Sequence, residues 1–311
     1  MRILFMGTPD FAVPALCALC ESEHTVVGVV TQPDRPRGRG HHLMPPPVKE
    51  YATERNIPVY QPATLKGEEF AEVLESLSPE LIVVVAFGKI LPQSVLDFPK
   101  YGCVNIHGSL LPEYRGAAPM QRAIIDGKKV TGITTMLMAA GLDTGDMLLK
   151  AELDIGENDN FEDVHDGLAS LGASLLMKTI AGLESGEIVP ESQDDSLATY
   201  AAKIEKSDCQ LDFSLDAATL HNLIRGLSPI PLAFTHTPDG KLLKVVESRV
   251  ADADKTVKAL PGTVLEVGED IKVVCGRGIL SIVTLVPEGK GKMSAADFVR
   301  GRKISVGDLL S

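Results

Sequence analysis

Strands alternating with helices over the first part of the chain, and short, closely spaced strands over its last third, predict an α/β protein. The expected architecture is an open, mostly parallel, Rossmann-like sheet followed by a C-terminal β-barrel domain of OB-like type. The apolar run Leu81–Phe87 is unbroken, as suits a parallel strand buried on both faces. At the start, the strand Arg2–Met6 meets Gly7-Thr8-Pro9 and leads into a helix over Pro9–Glu21, a mononucleotide-fold opening. It lacks the full G-x-G-x-x-G and does not imply a dinucleotide.

The remaining elements follow in order. Val26–Val30 reads as a second strand, and Tyr51–Arg55 and Lys66–Leu77 as helices. Cys103–His107 and Ile133–Met138 are further strands, and Met147–Asp154 another. Val164, Leu168, Leu171, Leu175, Ile180 and Leu183 then recur at helical spacing, which makes them the core face of one long helix. Residues 185–210 are polar and rich in Gly, Ser, Asp and Glu, with Lys203 and Lys206 among them, and read as a linker. Beyond it come a helix over Asp216–Gly226 and strands over Leu232–His236, Leu242–Arg249, Thr263–Val267, Ile271–Cys275 and Ile279–Val286. The division expected is a catalytic domain over 1–189, a linker over 190–208 and the OB-like domain over 209–311.

Composition bounds the function. The 311 residues suffice for two domains, and 44% apolar with 23% charged content is ordinary for a soluble protein. No apolar run approaches the ~20 residues needed to span a bilayer, and the first residues open on a strand without a signal pattern. A cytoplasmic location is therefore expected, with no membrane partner. Lys+Arg 30 against Asp+Glu 42 gives a net charge of −12, which argues against broad coating of nucleic acid. Any RNA contact must use local basic segments. Cys17 and Cys20 form a C-x-x-C, but no second pair or nearby His completes a metal set, so packing is the expected role. No metal is implied.

The stretch 101–119, Tyr-Gly-Cys-Val-Asn-Ile-His-Gly-Ser-Leu-Leu-Pro-Glu-Tyr-Arg-Gly-Ala-Ala-Pro, concentrates the chemistry. Strand period places Asn105 and His107 on one face, with Ile106 turned into the core. An amide and an imidazole at a strand mouth suit acyl transfer, because the amide holds a developing oxyanion and the imidazole shares a proton. Asp143, within Gly141-Leu142-Asp143-Thr144-Gly145-Asp146, offers a carboxylate on a Gly-flanked, mobile loop as partner for that imidazole.

Residues 31–47 break the strand–helix pattern. Four prolines follow Gln32 before residue 47, and Arg35, Arg37 and Arg39 with His41 and His42 make this the most basic stretch of the chain. Composition allows either a solvated loop or a flexible arm that meets phosphates.

The run Asn105-Ile106-His107-Gly108-Ser109-Leu110-Leu111-Pro112, then Tyr114-Arg115-Gly116 and Gly141-Leu142-Asp143-Thr144-Gly145, resembles the 10-formyltetrahydrofolate-dependent formyltransferases. Met6-Gly7-Thr8-Pro9-Asp10-Phe11-Ala12, the loop Pro33–Gly40 and Met293–Phe298 are similar to the members that act on charged initiator tRNA, and the likeness runs nearly the whole length. The resemblance implies formyl transfer from 10-formyltetrahydrofolate, as co-substrate, to the α-amine of methionine on initiator methionyl-tRNA, by a monomer. It implies catalytic roles for Asn105, His107 and Asp143, and a pterin pocket lined by Phe87, Ile90 and Leu91 with Ser109, Leu110, Leu111 and Pro112 as a further wall. It assigns the basic loop to the acceptor end of the tRNA, with Arg35, Arg37 and Arg39 as contacts, Arg39 central, and Lys203 beside them in function. Ala139-Ala140 departs from the family's acidic residue near this point, and Phe213 and Ile230 replace its tryptophans. A formyltransferase acting on a sugar nucleotide or another small amine, a 10-formyltetrahydrofolate hydrolase, or an RNA-binding module without catalysis are the alternatives.

Overall fold

The computed structural model describes residues 1–37 and 42–311. It forms two compact units, one of Met1–Gly116, Gly132–Leu153 and His165–Tyr200, the other of Ala117–Thr131, Asp154–Val164 and Ala201–Ser311. The second unit therefore takes in two segments that precede the polar stretch 190–208 in sequence.

The first unit is built on a seven-stranded sheet. Its order runs Met147–Asp154, Val130–Leu137, Cys103–His107, Leu81–Val85, Arg2–Gly7, Thr25–Val30 and Val59–Tyr60. The strands from Cys103–His107 to Val59–Tyr60 run parallel, and Val130–Leu137 runs antiparallel to Cys103–His107. Every residue of Leu81–Val85 is buried, as its unbroken apolar run requires of a strand covered on both faces. On one face Cys103 packs with Leu4, Met6, Ile82, Val84, Phe87 and Leu91. On the other, the helix Phe161–Ser185 lies over Ile106 so closely that a Cβ on Gly172 would meet the Ile106 side chain at 3.0 Å. These layers fix Cys103–His107 and aim its alternate residues, Asn105 and His107, along the Cys103 face.

The long helix and the strand Met147–Asp154 lie where the sequence places them. The opening differs in detail, with a 3-10 turn over Asp10–Ala12 before an α-helix over Val13–Cys20. The stretch 31–47 is not all loop. Arg35–Arg37 pairs antiparallel with His42–Met44, in the register Arg35↔Met44. Pro36 hides this hairpin from propensity, because proline is admitted only where a strand needs no amide donor.

The second unit is an antiparallel sheet in the order Ala233–His236, Leu242–Asp252, Ile279–Pro287, Ile271–Val274 and Val264–Val267, with Met293–Ser294 on Ile279–Pro287. Residues 308–311 bridge its two edges: Asp308 O accepts from Val264 N at 2.8 Å, and Ser311 O from His236 N at 2.8 Å. The bridge turns the sheet into a barrel, the arrangement that covers edge strands. The helix Ala217–Gly226, capped by Asp216 on the Thr219 amide at 2.9 Å, buries Leu220 and Ile224 among Leu243, Val245, Ile271 and Leu280.

Candidate active site

His107 ends its strand buried, with both ring nitrogens facing defined groups. Its Nε2 lies 2.9 Å from the Tyr114 carbonyl oxygen. A carbonyl only accepts, so Nε2 carries the proton and donates. That leaves Nδ1 for the site, 3.7 Å from Oδ2 of Asp143, a separation longer than a direct hydrogen bond. The same Oδ2 accepts the Gly116 amide at 2.9 Å. The Asp143 side chain is only 13% exposed, so the carboxylate lies close to a buried ring. Asn105, half-buried two residues before His107, takes no protein hydrogen-bond partner for its carboxamide among the described residues. Its donor is free for a bound group.

The loop that carries Asp143 is held in place. Asp143 adopts φ 52°, in the left-handed region that non-glycine residues seldom enter. Gly145 packs so tightly that an added Cβ would sit 1.6 Å from the Leu137 carbonyl oxygen. The glycines therefore serve close approach rather than the mobility expected of them. Gln193 donates through Nε2 to the carbonyls of Asp143 and Gly145, each at 2.8 Å. Its Oε1 accepts from Arg115 Nε at 2.9 Å, and the Arg115 guanidinium also pairs with Asp195. The stretch around Gln193 is bonded along its length. Glu191 exchanges backbone bonds with Met147, and Thr199 accepts the Tyr114 amide on its hydroxyl and the Arg115 amide on its carbonyl.

Ser109 to Pro112 follow His107 in a tight turn. Ser109 is fully buried, donating to the Glu113 carbonyl at 2.6 Å, while its own carbonyl accepts from Thr134 Oγ1 at 2.8 Å. Leu111 is buried against Met136 and Met147, and Leu110 and Pro112 are half-buried. Phe87 and Leu91 belong to the core below, whereas Ile90 is 84% exposed. The Phe87 carbonyl accepts from Gln32 Nε2 at 3.0 Å and from Thr8 Oγ1 at 3.3 Å, which ties this loop to the first two strands.

Of the residues expected to bind nucleic acid, Arg35 is exposed in its hairpin and Lys203 is exposed beside Glu205, 3.5 Å away. Arg39, and the side chain of Arg37, lie outside the described residues. Asp34 anchors the base of the hairpin. Lys49 Nζ donates to both its oxygens at 2.8 Å and Gln61 adds a third bond, which together hold its carboxyl below the usual range. Among the described residues one group could hold a metal ion: Glu23, His24 and Glu184 bring ligand atoms within 4.8 Å of one another. The Met1 ammonium, 3.1 Å from His24 Nδ1, already supplies positive charge there.

Sequence reasoning brought Asn105, His107 and Asp143 forward, and the structure brings His107 and Asp143 together. It missed Gln193, Arg115 and the Gly116 amide as the groups that hold Asp143. Gln193 gave no signal, being one amide within a polar run.

The family model for "Formyl transferase" matches residues 1–180, and that for "Formyl transferase, C-terminal domain" matches 203–303. A methionyl-tRNA formyltransferase of Citrifermentans bemidjiense is 50% identical over 311 residues, covering 100% of this chain and 96% of that protein. One from Clostridium novyi is 49% identical over 312 residues, covering 100% of both. Among solved structures, the N-formyltransferase of Helicobacter canadensis in complex with folinic acid and dTDP-3-aminofucose superposes with a TM-score of 0.68. It is 18% identical, and the match covers 91% of this chain and 98% of that one. HypX of Aquifex aeolicus in complex with tetrahydrofolic acid gives 0.63 at 18% identity, over 96% of this chain and 47% of its own.

Proposed function

This chain belongs to the formyl transferase family, and we propose that it moves the formyl group of 10-formyltetrahydrofolate onto the α-amine of methionine carried by initiator tRNA. The observation that carries the reading is the 3.7 Å approach of Asp143 to the free nitrogen of His107, one strand step from the unpartnered amide of Asn105. The full-length likeness to relatives named methionyl-tRNA formyltransferase selects the acceptor.

The neutral amine attacks the formyl carbon, and negative charge develops on the formyl oxygen. Asn105 donates a hydrogen bond to that oxygen, and His107 adds its positive charge when Nδ1 is protonated. Such donors in a water-poor site commonly contribute ~3 kcal/mol each. The attacking nitrogen must lose one proton, and N10 of the folate must gain one to leave. Asp143, beside Nδ1, relays that proton, directly or through a water. The amine is its own nucleophile, so the reading needs no Ser or Cys and no metal.

Phe87, Ile90, Leu91 and the turn Ser109–Pro112 are proposed as walls of the folate site, with the exposed Ile90 offering apolar area for a flat heterocycle. Arg35, Arg37, Arg39 and Lys203 are proposed as phosphate contacts of the tRNA. A cytoplasmic monomer fits a translation enzyme, and among the described residues no helix is long and apolar enough to cross a membrane. The deciding experiment supplies 10-formyltetrahydrofolate labelled on the formyl group, with charged initiator tRNA, an amino-sugar nucleotide, or neither. Label on methionyl-tRNA supports the reading. Label on the sugar amine, or release as formate, opposes it.

A further inference from the structure

One carboxamide, that of Gln193, makes three hydrogen bonds within the first unit, two given and one taken. Its neighbours decide which way it faces. The carbonyls of Asp143 and Gly145 can only accept, and the Arg115 guanidinium can only donate, so Nε2 must point to the loop and Oε1 to Arg115. The two carbonyls flank Thr144 and so tie both sides of the turn. Just before the first of them the chain holds Asp143 at φ 52°, a conformation that persists where surroundings over-determine it. The contacts also close into a ring. Arg115 orients Gln193, Gln193 grips the backbone of Asp143, and the Asp143 carboxylate accepts from Gly116, the residue next to Arg115.

We infer that Gln193 is a positioning residue for formyl transfer: it acts through the backbone of Asp143 to hold that carboxylate on the His107 ring. This inference rests on the reading that Asp143, beside His107, relays the proton. It also gives a role to Arg115, which fixes the amide so that both of its N–H groups reach the loop.

The test uses the full-length protein with initiator methionyl-tRNA and labelled formyl donor. Gln193→Leu keeps the size and removes all three bonds; Gln193→Glu keeps the contact to Arg115 but has no donor for the carbonyls. Both variants should lose roughly 10- to 100-fold in kcat, as small misplacements of reacting groups do, with KM for the donor within about threefold of wild type. In an Asp143→Ala background, Gln193→Leu should add no further loss, because its effect passes through the missing carboxylate. Wild-type turnover in Gln193→Glu, or a loss that multiplies in full with Asp143→Ala, overturns the inference. If the wild-type protein itself transfers no formyl group, the functional reading fails and this inference with it. If the wild type transfers and the Gln193 variants match it, only the positioning role fails.

Discussion

Nδ1 of His107 and Oδ2 of Asp143 stand 3.7 Å apart, with the opposite nitrogen of the ring committed to the Tyr114 carbonyl. The imidazole is thereby held in one orientation, and only one of its nitrogens can exchange a proton with the site. His107→Ala and Asp143→Ala should each lower kcat by about 100- to 10,000-fold, the range spanned by loss of an oxyanion-stabilising group and of a proton-transfer group. Steady-state kinetics with both substrates, alongside equilibrium binding of folate, checks this. Donor affinity should change far less than turnover.

Asn105 is proposed to face the developing oxyanion. Asn105→Ala removes a donor, at ~3 kcal/mol of transition-state stabilisation. Asn105→Asp also places a negative charge beside the oxyanion, and should be slower still. Turnover of the two variants, ranked at one pH, tests the assignment, and the opposite ranking removes it.

Arg39 is expected to meet tRNA phosphate. Arg39→Ala should raise KM for charged tRNA and lower the slope of log affinity against log salt by about one, while folate binding stays intact. Binding titrations at several salt concentrations read both effects.

His221, in the second unit, gives a prediction on stability. Its Nε2 donates to the Glu157 carbonyl at 3.0 Å and its Nδ1 lies 3.0 Å from Ser248 Oγ. Burial, and then the nearby charge of Arg225, push its pKa below the ordinary histidine value, against the Glu157 bond. A histidine with a depressed folded-state pKa takes up its proton more readily when unfolded. Stability is therefore kept above the unfolded value near 6.5 and falls as pH drops through it. Urea unfolding at pH 7.5 and 5.5 should show this loss in the wild type, and a smaller one in His221→Gln.

Much of this arrangement is legible in the residues themselves. The buried strand Leu81–Val85 follows from an apolar run with no polar interruption, and the face shared by Asn105 and His107 from strand period alone. The groups that hold the site are not legible, because they are set by tertiary contact. Gly145 looks like a hinge until the Leu137 carbonyl is found against it, and Gln193 is indistinguishable from its polar neighbours until Asp143 and Arg115 meet on its amide. Backbone donors such as Gly116 N carry no side-chain signature at all. The hairpin Arg35–Arg37 with His42–Met44 was hidden for a different reason, since Arg-Pro-Arg opposes strand propensity and only pairing with the second segment makes it a strand.

The initial rate of formyl transfer to charged initiator tRNA, set beside charged elongator tRNA at saturating 10-formyltetrahydrofolate, decides whether His107 and Asp143 serve this reaction. N-formylmethionyl-tRNA should form rapidly from the initiator and little from the elongator, with the initiator rate collapsing in Asp143→Ala. Equal rates on both tRNAs, or an unchanged rate without the Asp143 carboxylate, contradict this reading.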